Sequence, residues 1–125
     1  MASAQTVARA SDALRTLRER FRETSAGTIA TLEDLARQLT TEPASPDVIT
    51  ALRREVHRVH GTAGSYGFVE AGRLAAKLEL RVSDWEGDAA LERTQRATII
   101  GHFVSALRLA MSAERNQIVG AHLRA

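Results

Sequence analysis

The chain has 125 residues, 44% of them hydrophobic, which is enough for one domain with a single modest core. Only 4% of the residues are aromatic, so the core must consist mainly of Leu, Ile, Val and Ala, as small helical proteins allow. The formal net charge of +2 does not favour nucleic-acid binding, and the absence of cysteine excludes disulfides, thiolate metal sites and thiol chemistry.

The first forty residues carry two amphipathic stripes with helical spacing. The first stripe predicts a helix that ends near Ser25-Ala26-Gly27, and the second predicts a helix over 28–38 or 28–40. The apolar positions of the two stripes are Val7, Ala10, Leu14, Leu17 and Phe21, then Ile29, Leu32, Leu35, Ala36 and Leu39. Residues 40–46 contain both prolines of the chain and therefore predict a loop.

A third helix is predicted from Pro46 to about Ser65. Ser45 can cap its first free amides, Pro46 fits the first helical position, and Asp47 suits the positive helix end. Its apolar stripe consists of Val48, Leu52, Val56, Val59, Ala63 and Tyr66.

Two more helices are predicted after a break at Gly67. Residues 83–88 predict a turn in which Asp88 caps a fifth helix that begins near Ala89. The fourth stripe is Phe68, Ala71, Ala75, Leu78 and Val82, and the fifth is Leu91, Thr94, Thr98, Ile100, Phe103, Leu107, Ala110 and Met111. Because the fifth stripe thins after Ala113, we expect residues 116–125 to fray or to form a short terminal helix.

These elements predict an all-α fold, an up-and-down antiparallel four-helix bundle with an additional helix, five helices in all. We expect residues 1–125 to form a single, monomeric domain, since no strand pattern or repeat interrupts the helical pattern. The sequence has no apolar run of membrane-spanning length and no signal-peptide pattern at its amino terminus. We therefore expect a cytoplasmic protein that binds neither membranes nor nucleic acid.

His57 lies away from the apolar stripe of the third helix, on the side that faces water. Gly61 lies one turn beyond it and Gly64 two turns beyond, at a cost of about 1 kcal/mol each relative to alanine. Neither glycine is on the core face, so close packing against the core does not explain them. The remaining explanation is that they give another protein access to the ring, although Gly64 could instead begin the unwinding of the helix. Arg53 and Arg54 precede His57 by one turn and could hold an incoming anion, although such arginines are most often only a solvated face.

This stretch resembles the signature of histidine-containing phosphotransfer (HPt) domains, His-x-x-Lys-Gly-small-small-x-x-x-Gly. The matching positions are His57, Gly61, the small pair Thr62 and Ala63, and Gly67. The sequence departs from the signature at His60, which stands where the family has lysine and is cationic only in part at neutral pH.

The resemblance implies a histidine phosphocarrier of a two-component phosphorelay. His57 would accept phosphate on Nε2 from a kinase or a receiver-domain aspartate and pass it to a response-regulator receiver aspartate. The implied partners are therefore a response-regulator receiver domain and a hybrid or chemotaxis-type histidine kinase. Because these partners supply the catalytic machinery, we expect that the chain is not an enzyme and carries no cofactor, with magnesium bound by the partner receiver domain.

Two other classes of function remain open. A non-catalytic helical scaffold or dimerisation bundle would bind a protein partner without depending on His57. A bundle that binds a metal or haem is the third possibility, because His57 and His60 have a spacing at which histidines can share a metal. Two ligands are too few and Glu55 points toward another face, so we expect no metal site. Glu79 of the fourth helix is a candidate to orient a histidine ring.

Overall fold

The computed structural model describes the backbone of residues 3–124 and the side chains of residues 3–112. Within these residues the regular structure is four α-helices and one short 3-10 turn, Gly64–Tyr66, and no strand is present. The helices are α1 (Ala4–Thr41), α2 (Pro46–Ala63), α3 (Val69–Gly87) and α4 (Arg96–Arg124).

The prediction of five helices is wrong, because the two helices expected before residue 41 are one continuous helix, α1. A single glycine costs a helix only about 1 kcal/mol, and Gly27 remains inside the helical hydrogen-bond ladder, where its carbonyl also accepts from Thr31 Oγ1 at 3.1 Å. The buried stripe crosses the expected break without a change of phase. Its members are Phe21, Ser25, Thr28, Leu32, Leu35 and Leu39.

The start of α2 is where the sequence predicts it. Ser45 is the N-cap and its hydroxyl accepts a hydrogen bond from the Val48 amide at 3.4 Å, with Pro46 as the first helical residue. After the 3-10 turn, Gly67 adopts the left-handed conformation with φ 83°, which favours glycine. The Phe68 amide then donates to the Ala63 carbonyl at 2.9 Å, so the chain reverses tightly between α2 and α3.

The turn expected at 83–88 lies later in the chain. α3 continues to Gly87, and Trp85 is a core residue with only 1% of its surface exposed. Asp88 ends α3 instead of capping the next helix, and its carboxylate accepts from the Ala90 amide at 3.0 Å. α4 begins at Arg96, and its backbone is helical to Arg124, while the side chains of the expected frayed segment, 116–125, lie outside the described residues.

Each helix packs against its neighbours in sequence, and α1 also packs against α4. In the described part of the chain, the backbones of α1 and α3 do not approach each other closely, and neither do those of α2 and α4. This closed ring of neighbours, joined by short connections, is an up-and-down four-helix bundle, as the sequence predicts. Over the described residues, no helix combines the length and apolar character needed to span a membrane.

The connection between α3 and α4 is fixed by a buried arginine. Arg96 is fully buried, and its guanidinium lies 5.2 Å from the centre of the Trp85 ring. It donates to the carbonyls of Pro43 at 2.6 Å, Asp88 at 3.0 Å and Leu91 at 3.0 Å. Burial and the nearby charge of Arg93 lower the pKa of Arg96. This residue therefore ties the α1–α2 connection to the α3–α4 connection at one end of the bundle.

Candidate functional site

His57 stands on the outer side of α2. Its side chain is 69% exposed, whereas its neighbours Val56 and Val59 are buried in the core and fix the rotation of the helix. The helical spacing of the stripe predicts this orientation, and the structure agrees with it. A second protein can therefore reach the ring without any rearrangement of the bundle.

Glu79 of α3 holds one nitrogen of this ring. Its Oε1 lies 2.5 Å from His57 Nδ1, across the contact between α2 and α3. Partial desolvation raises the pKa of Glu79, but hydrogen bonds from His60 and His57 outweigh it and leave the pKa below its usual value. An ionised carboxylate can only accept, so Nδ1 of His57 carries a proton. In the neutral ring the lone pair is then on Nε2, the nitrogen away from Glu79.

His60 binds the other oxygen of the same carboxylate. Its Nδ1 lies 2.5 Å from Glu79 Oε2, and its ring is nearly perpendicular to that of His57, with the ring centres 6.3 Å apart. The side chain of His60 is 47% exposed, compared with 69% for His57. His57, His60 and Glu79 form one hydrogen-bonded group, which we call the His–Glu–His cluster.

The two candidate access glycines differ in their setting. A Cβ at Gly61 would have nothing within 4 Å, so the packing of the bundle does not require a glycine there. The same holds at Gly64, which begins the 3-10 turn and therefore also marks the end of α2. By contrast, a Cβ added at Gly72 of α3 would lie 3.6 Å from the backbone nitrogen of Gly64, so α3 passes close to the end of α2. The open surface next to His57 is therefore an unoccupied outer face of α2.

The two candidate arginines do not join the cluster. Arg53 forms an ion pair with Glu86 of α3, so its charge is engaged one turn away from His57. Arg54 is exposed on α2, and no hydrogen bond or ion pair among the described residues links either arginine to His57 or His60. The structure thus brings together His57, His60, Gly61 and the candidate Glu79, but not Arg53 and Arg54.

The cluster also has the chemistry of a metal site. His57, His60 and Glu79 each offer one ligand atom, and these atoms all lie within 4.8 Å of one another. The sequence indicates only two of these ligands, the histidines. It does not show how far α3 is shifted along α2, and that shift places Glu79 opposite both rings.

A model of the Hpt domain family matches residues 16–117 of the chain. Comparisons with curated proteins and with solved structures give no match. Hpt domains are helical bundles that act as histidine phosphocarriers and interact with the kinase and receiver domains of phosphorelays. Since the match covers most of the chain and includes the whole of α2 and α3, the chain belongs to the Hpt domain family.

Proposed function

We propose that His57 is the phospho-accepting residue of a two-component phosphorelay. In this proposal it takes phosphate from a kinase or a receiver aspartate and passes it to the aspartate of a response-regulator receiver domain. The observation that carries the proposal is the state of the ring, which is exposed and held at Nδ1 by an ionised Glu79. The nucleophilic nitrogen, Nε2, is therefore the one that a partner can reach.

The transfer needs no general base on this chain. Nε2 of neutral His57 attacks the phosphorus with its own lone pair, and the bond from phosphorus to the donor oxygen breaks, leaving ADP or an aspartate carboxylate. The proton already on Nδ1 stays there, and the phosphorylated ring is stabilised by its hydrogen bond to Glu79. The reverse steps return the phosphoryl group to a receiver aspartate, with magnesium supplied by the partner.

The surface around His57 suits a docking partner. Gly61 leaves the next turn of α2 bare, since a Cβ there would have nothing within 4 Å. A receiver domain docked over this bare turn could bring its aspartate to the exposed ring of His57.

A phosphotransfer assay tests the proposal. We expect the protein to acquire label from a receiver domain charged with acetyl phosphate, or from a histidine kinase with radiolabelled ATP. The label should be labile in acid and stable in base, and mass spectrometry of the peptide should place it on His57. No label from any receiver domain of the source organism would instead favour a scaffold that binds a partner without chemistry.

Replacing Glu79 with glutamine should slow phosphorylation about tenfold to a hundredfold. This is the factor in rate that corresponds to losing the free energy of one hydrogen bond to a charged group. A neutral amide no longer favours the proton on Nδ1 of both rings, so less of His57 has its lone pair on Nε2. Transfer rates measure the loss, and ¹⁵N spectra of the His57 ring should show a shift toward the other tautomer. An unchanged tautomer together with a slower rate would contradict this explanation.

Replacing Gly61 with leucine should slow transfer by at least about tenfold without destabilising the bundle. The new side chain enters open space, and leucine is a better helix former than glycine by about 1 kcal/mol. The matched control is Gly101→Leu in α4, where a Cβ also has nothing within 4 Å. Both variants should keep or raise the midpoint of thermal unfolding, and equal transfer rates in the two would show that Gly61 does not provide access.

A further inference from the structure

The His–Glu–His cluster contains more ligands than phosphate transfer needs. Phosphorylation at Nε2 uses His57 and its contact with Glu79, yet His60 binds the second oxygen of the same carboxylate at 2.5 Å. The three ligand atoms lie within 4.8 Å of one another and come from two helices that are packed together. Two imidazoles and one carboxylate are a ligand set that zinc and neighbouring transition ions accept.

Small side-chain movements would make room for an ion. Ligand atoms about 2.0–2.2 Å from a zinc ion lie roughly 3.0–3.5 Å from each other, so Glu79 must move slightly away from the two rings. The side chains of His57, His60 and Glu79 are 69%, 47% and 23% exposed, so they can turn without disturbing the core. The backbone positions remain fixed by Val56, Val59 and Leu78, which are buried.

We propose that His57 Nδ1, His60 Nδ1 and Glu79 bind one Zn²⁺ or a similar transition ion, and that this ion prevents phosphorylation of His57. The second half of the proposal rests on the proposed function. When Nδ1 gives its lone pair to the ion, the proton of the neutral ring moves through solvent from Nδ1 to Nε2. Glu79 stays ionised, water completes the coordination, and no electron transfer is involved. Nε2 then carries the proton, so it has no lone pair available to attack phosphorus.

Magnesium is not expected to act in the same way. It prefers oxygen ligands in octahedral geometry and binds imidazole poorly, so the magnesium that a receiver domain requires leaves the cluster free. The proposed ion is therefore a second metal with an effect opposite to that of magnesium.

Calorimetric titration of the phosphate-free protein with ZnCl₂ tests the site without any phosphotransfer. We expect one ion per chain, and at least tenfold weaker binding in both His60→Gln and Glu79→Gln. The matched control is His102→Gln, since His102 is exposed on α4 outside the cluster and its loss should leave binding unchanged. The ¹⁵N signals of the His57 and His60 rings should shift with one equivalent of zinc. Equal affinities in all variants, or no binding at 100-fold excess of zinc, would overturn the site.

A second measurement tests the effect on phosphorylation. One equivalent of ZnCl₂ should lower the transfer rate of the natural protein at least tenfold but leave that of His60→Gln nearly unchanged. EDTA added in the same amount as the zinc, which leaves the magnesium in place, should restore the rate. Equal inhibition of the natural protein and His60→Gln would show that zinc acts on the partner. Zinc binding without inhibition would reject the proposal that the ion prevents phosphorylation of His57. Failure of transfer even without zinc would instead count against the proposed function, so the two failures can be told apart.

Discussion

Replacing His57 with glutamine is expected to abolish phosphorylation of the chain, by at least about a thousandfold. The amide nitrogen of glutamine has no available lone pair and cannot attack phosphorus, whereas Nε2 of the exposed imidazole can. The change should leave the fold intact, because the side chain is 69% exposed and His60 still binds Glu79. Label transferred from a charged receiver domain measures the loss, and circular dichroism with thermal unfolding verifies the fold.

His60 is the natural rival to His57 in this experiment, since Glu79 binds the Nδ1 of both rings. The two differ in position, because His57 is more exposed and has Gly61 one turn beyond it. We therefore expect His60→Gln to retain label, and His102→Gln on α4 to behave like the natural protein. Label that persists in His57→Gln and disappears in His60→Gln would show that His60, and not His57, accepts the phosphate.

The parts of the fold that the sequence predicts well are those set by local chemistry. Ser45 and Pro46 start α2 through a side-chain cap and a fixed φ, and both act within one turn. The apolar pattern does not indicate the continuity of α1, because the buried stripe passes through Ser25 and Thr28, which are polar and interrupt it. The spacing of the positions does indicate one continuous helix. Phe21, Ser25 and Thr28 follow steps of four and three, which join the two predicted helices in phase.

In the candidate site, too, the features set within one helix can be predicted from the sequence, and those set by packing between helices cannot. The exposure of His57 and the open surface at Gly61 depend only on the rotation of α2, which its own stripe determines. The partner of the ring depends on the position of α3 along α2, and that follows from side-chain packing between helices. The sequence therefore makes Glu79 a candidate to orient one histidine ring, and its contact with both rings emerges only from the fold.

Replacing Arg96 with leucine is expected to lower the free energy of unfolding by about 3 kcal/mol, the scale of leaving buried carbonyls without donors. The guanidinium donates to carbonyls of two separate connections and lies over the ring of Trp85. Leucine fills part of the space but donates nothing, so the Pro43 and Leu91 carbonyls lose their partner. Urea unfolding measures the change.

The matched control is Arg93→Leu, which removes the same charge three residues earlier from an exposed position. This change should alter the free energy of unfolding by no more than about 0.5 kcal/mol. Arg96 begins α4 and Arg93 lies just before it, so both charges are near the positive end of the helix dipole. Charge alone would therefore make both replacements neutral or slightly stabilising. A large loss confined to Arg96 would therefore show that its hydrogen bonds outweigh the burial of its charge, and equal effects of the two replacements would contradict this.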